Sequence, residues 1–247
     1  MNQSTELEKC CWARALYSLR EADLDPNQQL GRIPFLAQLS ADEIGVLAES
    51  LRRRRFPRNE VIFHQDDPGN CLFIVLSGSV KIVRRSEDGR ELILSLIVPG
   101  EYFGELSLLD GEPRSADAIA VEASELLVLP RDSFLQLIET TPGAAVRLLA
   151  ALSRYYARRL TDVVEEAAFL DVSARLARVL LHLSDSRKDG RTDVRLTQSE
   201  LASMVGATRE SVNKWLGYFE RRSWLKRDHG EVLLLDRDAL VAYSSRE

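Results

Sequence analysis

Two groups of side chains in this sequence have the types and spacing to do specific chemistry. Toward the C-terminal end, Thr208, Arg209, Glu210, Ser211, Asn213 and Lys214 crowd seven consecutive positions. Arg and Lys donate to guanine O6 and N7, Glu accepts from the cytosine amino group, and Asn pairs with adenine, which is how the DNA major groove is read. The Thr and Ser hydroxyls suit phosphates or bases. Earlier in the chain, Gly104, Glu105, Leu106 and Ser107 are followed by Arg114 and Ser115. A short helix opened by glycine offers free backbone N–H groups to an anion. Arg114 can hold a cyclic phosphate with two donors, and Ser115 adds a hydroxyl. Glu105 repels phosphate but accepts well from a ribose 2′-hydroxyl. A nucleotide with a bridged phosphate and a free 2′-hydroxyl, cyclic AMP or GMP, meets both demands. Plainer alternatives exist: Glu105 and Arg114 can pair with each other, and a charged helix face is usually just solvated.

The reader cluster needs a helix to aim it. Thr197 and Glu200 have the spacing of a capping box, opening a helix over 198–205 that stops at Gly206. Thr208 is a second N-cap, and its helix runs to about Phe219, with Val212, Leu216 and Phe219 on the buried face. Two short helices joined by a glycine turn predict a helix-turn-helix with the readers at the start of the second helix. Leu225 to Leu235, broken at His229-Gly230, predicts two strands and a turn, a wing.

The phosphate-type cluster sits in a region of different texture. Val61–Phe63, Cys71–Leu76, Val80–Val83, Leu92–Val98 and Leu126–Leu129 are strand-sized apolar runs. Pro68-Gly69, Ser77-Gly78, Asp88-Gly89 and Pro99-Gly100 separate them, which predicts a β-barrel or jelly roll. A long helical pattern without glycine follows, from Ala144 to about Leu170. Leu149, Tyr156, Val163 and Leu170, with Val146, Ser153, Leu160 and Ala167, form a heptad seam in which seven of eight positions are apolar. That seam predicts a helix pair between two copies, with Leu149, Tyr156, Leu160, Val163 and Ala167 at the interface; burial against the chain's own β domain is the competing reading. Asp171 then caps a short amphipathic helix carrying Leu176, Val179, Leu180 and Leu183. Residues 1–28 predict a polar, partly helical extension with Leu7, Cys10, Cys11, Ala15 and Leu19 on one stripe.

Composition narrows the class. The 247 residues are 45% hydrophobic and 29% charged, enough for two modest cores and too mixed for disorder. No apolar run reaches the ~20 residues of a membrane span, and the start of the chain has no secretory apolar segment. Cys10, Cys11 and Cys71 make an odd set without a CxxC pair, so a disulfide framework is not expected, nor the four thiolates of an iron–sulfur sensor. These readings predict a cytoplasmic protein without a metal. The formal charge of −5 divides unevenly: from Asp171 on, 14 Lys and Arg stand against 12 Asp and Glu, and before it 19 against 26. Arg221, Arg222, Lys226 and Arg227 form a basic cluster suited to phosphate contact. His64 reads as a structural histidine rather than a haem ligand. No HExxH, nucleophile elbow or Walker loop points to an enzyme.

The sequence Leu196-Thr-Gln-Ser-Glu-Leu-Ala202, followed by Val205-Gly-Ala-Thr-Arg-Glu-Ser-Val212, resembles the winged helix-turn-helix of the cAMP receptor protein (CRP/FNR) family of bacterial transcription regulators. Ser77-Gly78-Ser-Val-Lys81 is similar to that family's glycine-marked hairpin. Phe103-Gly-Glu-Leu-Ser-Leu108 with Pro113-Arg-Ser-Ala116 is similar to its phosphate-binding cassette. The likeness spans roughly residues 30–240. It implies an α+β chain with a cyclic-nucleotide-binding β-roll over 29–142, a dimerisation helix over 143–170 and a winged helix-turn-helix over 171–247. It further implies a homodimer on palindromic, TGTGA-like DNA, a cyclic nucleotide effector with cAMP foremost, and RNA polymerase as a partner. Arg209 and Glu210 take two of the family's base-reading positions, and Lys214 stands where the family's archetype has an arginine, without that residue's planar fork. The family's pair of base-contacting hydroxyl residues falls here on Leu160 and Thr161. Thr161 can hydrogen-bond a ligand and Leu160 cannot, so cyclic GMP, a cyclic dinucleotide or ligand-free action stay open. A cyclic-nucleotide module acting on a protein partner is the alternative from another class.

Overall fold

A computed structural model of the chain describes residues 25–85, 91–185, 191–192, 196–228 and 231–244. The expected stripe from Leu7 to Leu19 and the turns at Asp88-Gly89 and His229-Gly230 lie outside the described residues. The described chain divides into two compact units at Phe169/Leu170.

The first unit is built on two four-stranded antiparallel sheets. One has the order β1 (Arg52–Phe56), β8 (Ser124–Pro130), β3 (Cys71–Ser77), β6 (Tyr102–Phe103). The other runs β2 (Val61–Phe63), β7 (Asp117–Ala120), β4 (Val80–Arg85), β5 (Glu91–Ile97). Successive side chains on a strand point to opposite faces, and β3 buries both. Phe73 and Val75 join Phe56, Val80, Phe103, Ala118 and Leu126 between the sheets. Leu72, Ile74 and Leu76 face the other way, into a layer formed by α1 (Pro26–Arg32), α2 (Ala41–Glu49), α4 (Arg131–Thr140) and the start of α5 (Pro142–Phe169). Double burial is why Cys71–Leu76 reads as an uninterrupted apolar run. The fold is the expected α+β β-roll.

Three strands of this unit lie outside the expected apolar runs. β1 is four arginines and a phenylalanine, and Arg52 to Arg55 are all exposed. It is an edge strand held by pairing with β8, from Arg52 opposite Val128 to Phe56 opposite Ser124. β6 has two residues, and β7 begins on Asp117. His64 is exposed; its Nδ1 lies 3.6 Å from Asp117 Oδ1, and its backbone N–H donates to Asp67.

The second unit begins with α6 (Val172–Asp185), whose first turn is capped by Asp171: Oδ1 accepts from the Ala174 N–H at 2.8 Å and from Ser173 Oγ at 2.6 Å. There follow α7 (Gln198–Val205), α8 (Arg209–Arg221), the pair β10 (Leu225–Asp228) and β11 (Glu231–Leu234), and α9 (Arg237–Ser244). β9 (Arg191–Thr192) adds to β11, so the expected two-stranded wing is a three-stranded sheet. α9 was not foreseen. It brings Tyr243 against Phe219 and Trp224, with ring centroids 5.4 Å apart in each pair. Among the described residues no helix is long and apolar enough to cross a membrane.

Phe73 lies between the sheets at 4% exposure, stacked on Phe103 at 5.0 Å and 9°. Phe73→Ala is expected to lower the stability of this unit by about 3–5 kcal/mol, measured as a shift in its urea unfolding midpoint.

Candidate ligand pocket and nucleic-acid interface

In the first unit, β6 ends at Phe103 and the chain turns through Gly104 into α3 (Glu105–Asp110). Gly104 has φ +80°, and a Cβ there would stand 2.6 Å from Arg114 Nη1, so only glycine fits. Arg114 is 3% exposed. Its Nη1 donates to the Gly104 carbonyl at 3.0 Å and its Nη2 to the Cys71 carbonyl at 2.7 Å. The guanidinium carbon sits 4.2 Å from the centroid of Phe63, a cation–π contact. Two carbonyls and a ring thus fix the plane of the group, while its Nε–H is buried without a hydrogen-bond partner.

Burial pulls the Arg114 pKa down, with Cys71, Glu105 and Asp67 acting the other way. The guanidinium is still cationic at neutral pH. None of its described hydrogen bonds goes to a carboxylate, so the expected alternative of an Arg114–Glu105 pair is not what the structure describes. A buried cation with an unused donor is a position where an anion could bind.

Glu105 begins α3 and accepts from the Tyr156 hydroxyl of α5 at 3.3 Å. Leu106 is 43% exposed, whereas Ser107 is buried with its Oγ 3.5 Å from the Pro113 carbonyl. Ser115 is exposed beside Arg114. Gly104, Glu105 and Arg114 are thus brought together, and Ser107 is turned into the protein. Thr161 is exposed on α5 and its hydroxyl donates back to the Ala157 carbonyl at 3.1 Å.

Sequence reasoning missed Cys71, Phe63 and Tyr102. The Cys71 Sγ lies 3.4 Å from Arg114 Nη2, and burial pushes the thiol pKa up against the pull of the arginine. Tyr102 is pushed up by burial first and then by Tyr155. No motif marks these residues, because their role is contact with a group distant in sequence.

Of the expected seam on α5, Val146, Leu149 and Leu160 are 70%, 67% and 66% exposed, and Val164, outside that seam, is 56% exposed. Ala144, Leu148 and Ala151, on another face, are buried in the helical layer of the roll. Tyr156 is half-buried, and the side chains of Val163 and Ala167 lie outside the described residues.

In the second unit the capping box forms as expected: the Thr197 hydroxyl accepts from the Glu200 N–H, and Glu200 accepts from the Thr197 N–H at 2.9 Å. Gly206, at φ +61°, ends α7 in the left-handed region, and the Thr208 hydroxyl caps α8 through the Ser211 N–H. Val212, Leu216 and Phe219 are fully buried, which turns the opposite face outward. Thr208, Arg209, Glu210 and Lys214 are exposed; Ser211 and Asn213 are half-buried. The Glu210 carboxylate is held below its usual pKa by its own backbone N–H and by Thr208, so it stays an ionised acceptor at neutral pH. Lys214 Nζ lies 5.5 Å from the Trp215 ring. The basic cluster is partly engaged within the protein. Arg222 stacks on Tyr218 at 4.5 Å, and Arg227 pairs with Glu220 at 2.6 Å.

Residues 53–141 match the family of cyclic nucleotide-binding domains, and residues 174–243 match the Crp-like helix-turn-helix domain. Over 220 residues the chain is 35% identical to the CRP-like cAMP-activated global transcriptional regulator of Mycobacterium tuberculosis, covering 87% of this chain and 98% of that one. The chain belongs to the CRP/FNR family of transcription regulators. It is 32% identical over 190 residues to the cAMP-activated global transcriptional regulator CRP of Escherichia coli, covering 73% and 88%. Among solved structures, the c-di-GMP responsive global regulator CLP of Xanthomonas campestris superposes with a TM-score of 0.60 at 32% identity, covering 79% of this chain and 99% of that one. The roll is therefore a cyclic-nucleotide-binding domain, and α7 with α8 is the helix-turn-helix of a transcription regulator.

Asp171 supplies a pH test of the second unit. Burial raises its pKa, but the Ser173 hydroxyl, the Ala174 and Ser173 N–H groups and Arg175 outweigh that and leave it lowered. A carboxylate lowered on folding adds stability above its unfolded value near ~4, and that part is lost as pH falls through the lower folded value. Asp171→Ala should cost about 1 kcal/mol at pH 7. Denaturant titrations of the two proteins should converge as the pH is taken down through the lowered folded value; an unchanged gap would mean that the charge adds nothing.

Proposed function

We propose that this protein is a cytoplasmic transcription regulator switched by a cyclic nucleotide, cAMP foremost, that binds a palindromic duplex site as a homodimer. The observation that carries the reading is Arg114, a buried cation with a free Nε–H behind the glycine-opened α3. A cyclic phosphate supplies the missing acceptor and the missing charge. Gly104, Glu105, Leu106, Ser107, Arg114 and Ser115 form the cassette around it, with Glu105 receiving the ribose hydroxyl and Ser107 holding the loop from behind. Thr161 faces the base. Because a neighbour at 32% identity is named for c-di-GMP and others for cAMP, overall likeness does not select the base, and Leu160 offers it no hydrogen bond.

On the DNA side, Arg209, Glu210, Asn213 and Lys214 read bases, while Thr208 and Ser211 serve phosphates at the N-terminal end of α8. A TGTGA-like half-site fits Arg209 and Glu210, and Lys214 is the residue that would alter it. RNA polymerase is the partner expected to read the resulting complex. Leu149, Tyr156, Leu160, Val163 and Ala167 form the seam between copies. Ligand and DNA are coupled only if the nucleotide binds one arrangement of the dimer better than another.

Titration calorimetry with cAMP, cGMP and c-di-GMP decides the effector. Heat with cAMP that Arg114→Leu abolishes is expected; heat with c-di-GMP alone would replace cAMP in the account, and no heat with any would remove the nucleotide. Duplex binding should strengthen with the effector and fall steeply between about 50 and 200 mM salt, whereas a module directed at a protein partner would show neither.

The dimer is tested separately. Leu149→Glu with Leu160→Glu leaves the roll's core untouched and places charge on the seam, so sedimentation should show monomers where the parent is a dimer. A parent that sediments as a monomer at micromolar concentration rejects the seam.

A further inference from the structure

Gln198, the first residue of α7, was not among the expected DNA-facing residues, yet two of them are tied to it. Its Oε1 accepts from Arg209 Nε at 3.2 Å and from Asn213 Nδ2 at 2.7 Å. The chain of contacts goes on. Asn213 Oδ1 accepts from Arg227 Nη1 at 3.3 Å, and Arg227 is held by Glu220 through Nε at 3.0 Å and Nη2 at 2.6 Å. Glu220 is kept ionised by that arginine, its pKa lowered by the Arg227 side chain and backbone N–H. A polar line therefore runs Glu220–Arg227–Asn213–Gln198–Arg209 across α8, β10 and α7.

From this geometry we infer that Gln198 is a positioning residue that sets the base preference of Arg209. The inference rests on the reading of α8 as the DNA-reading helix. Arginine carries rotamer entropy that a specific contact must overcome. Binding Nε to Gln198 removes part of that freedom before DNA arrives and leaves the Nη1 and Nη2 donors for another partner. That end of the fork is suited to the two acceptors on the guanine edge, O6 and N7. The same acceptor holds one donor of Asn213, so both side chains are oriented from α7. A glutamine oxygen can accept twice and carries no charge; it orients a cation without neutralising it, as a glutamate there would. Arg227 is occupied by Glu220, so it steadies Asn213 from the wing side.

The test is a randomised-site selection on the full-length protein with its effector, comparing Gln198→Met, Gln198→Glu and Arg209→Ala. Gln198→Met keeps the volume and loses the acceptor. It is expected to relax the preference at the one base position that Arg209→Ala relaxes, by about tenfold, the scale of one hydrogen-bonded base contact. Gln198→Glu keeps the acceptor and should keep the consensus while weakening binding at all sites. Gln198→Met added to Arg209→Ala should change nothing further at that position. If Gln198→Met weakens all sequences equally and lowers the salt slope, the residue touches phosphate only and the positioning role is overturned. An unchanged consensus for Gln198→Met beside a relaxed one for Arg209→Ala overturns the positioning role alone. An unchanged consensus for Arg209→Ala overturns the DNA-reading assignment beneath it. Near-ultraviolet circular dichroism of each variant separates these outcomes from loss of fold.

Discussion

A guanidinium 3% exposed and hydrogen-bonded to no carboxylate is the constraint around which the first unit is arranged. Burying a charge without a paired partner costs several kcal/mol even after relaxation, so every nearby group bears on keeping Arg114 in place. The carbonyls of Gly104 and Cys71 take its Nη groups, and the face of Phe63 takes its plane. Phe63 is itself set by Phe73 and Phe103, with ring centroids 5.7 and 5.9 Å away. The core of the roll and the cassette are thus one structure: packing between the sheets fixes the ring that fixes the arginine. The glycine at 104 follows from the same demand, since any Cβ would displace Nη1.

The second unit places its charges differently. α8 carries a wholly buried stripe at Val212, Leu216 and Phe219, and the aromatic group of Phe219, Trp224 and Tyr243 locks that stripe between the wing and α9. Rigid support of this kind lets the opposite face hold arginine and lysine in set directions rather than as a mobile cloud. Part of the apparent basic cluster is spent inside the protein: Arg222 lies over Tyr218 and Trp224, and Arg227 faces Glu220. Net charge therefore understates how selective the surface is and overstates how basic it is.

Local signals were legible in the sequence where one residue type has one structural use. Thr197 with Glu200, Gly206 and Thr208 marked both ends of α7 and the start of α8, and the doubly buried run at Cys71–Leu76 marked the centre of the roll. β1 was illegible because its arginines lie at an exposed sheet edge, held by backbone pairing that leaves no apolar trace. Cys71 and Gln198 were illegible for another reason. Each is noticed only through a contact with a residue on another element, Cys71 with Arg114 and Gln198 with Arg209 and Asn213. Spacing along one helix or strand does not encode such pairs. Ser107 shows the reverse: the cassette pattern includes it, and its side chain points into the protein.

The long helix α5 packs against its own roll along one face and carries a second apolar stripe on another. A single amphipathic stripe would serve either its own roll or a second copy, and α5 has two. Ala144, Leu148 and Ala151 settle into the helical layer, and the two alanines let the helix lie close to it. Val146, Leu149, Leu160 and Val164 remain 56–70% exposed along another face. Fully burying one such side chain is worth about 1.5–3 kcal/mol, so leaving four in water on an otherwise charged surface forgoes several kcal/mol. The gain is available to a second copy of the same helix, because a two-fold pair presents the same stripe twice. The glutamate of the cassette is joined to this helix through Tyr156. That hydrogen bond joins the start of α3 to the long helix within the first unit.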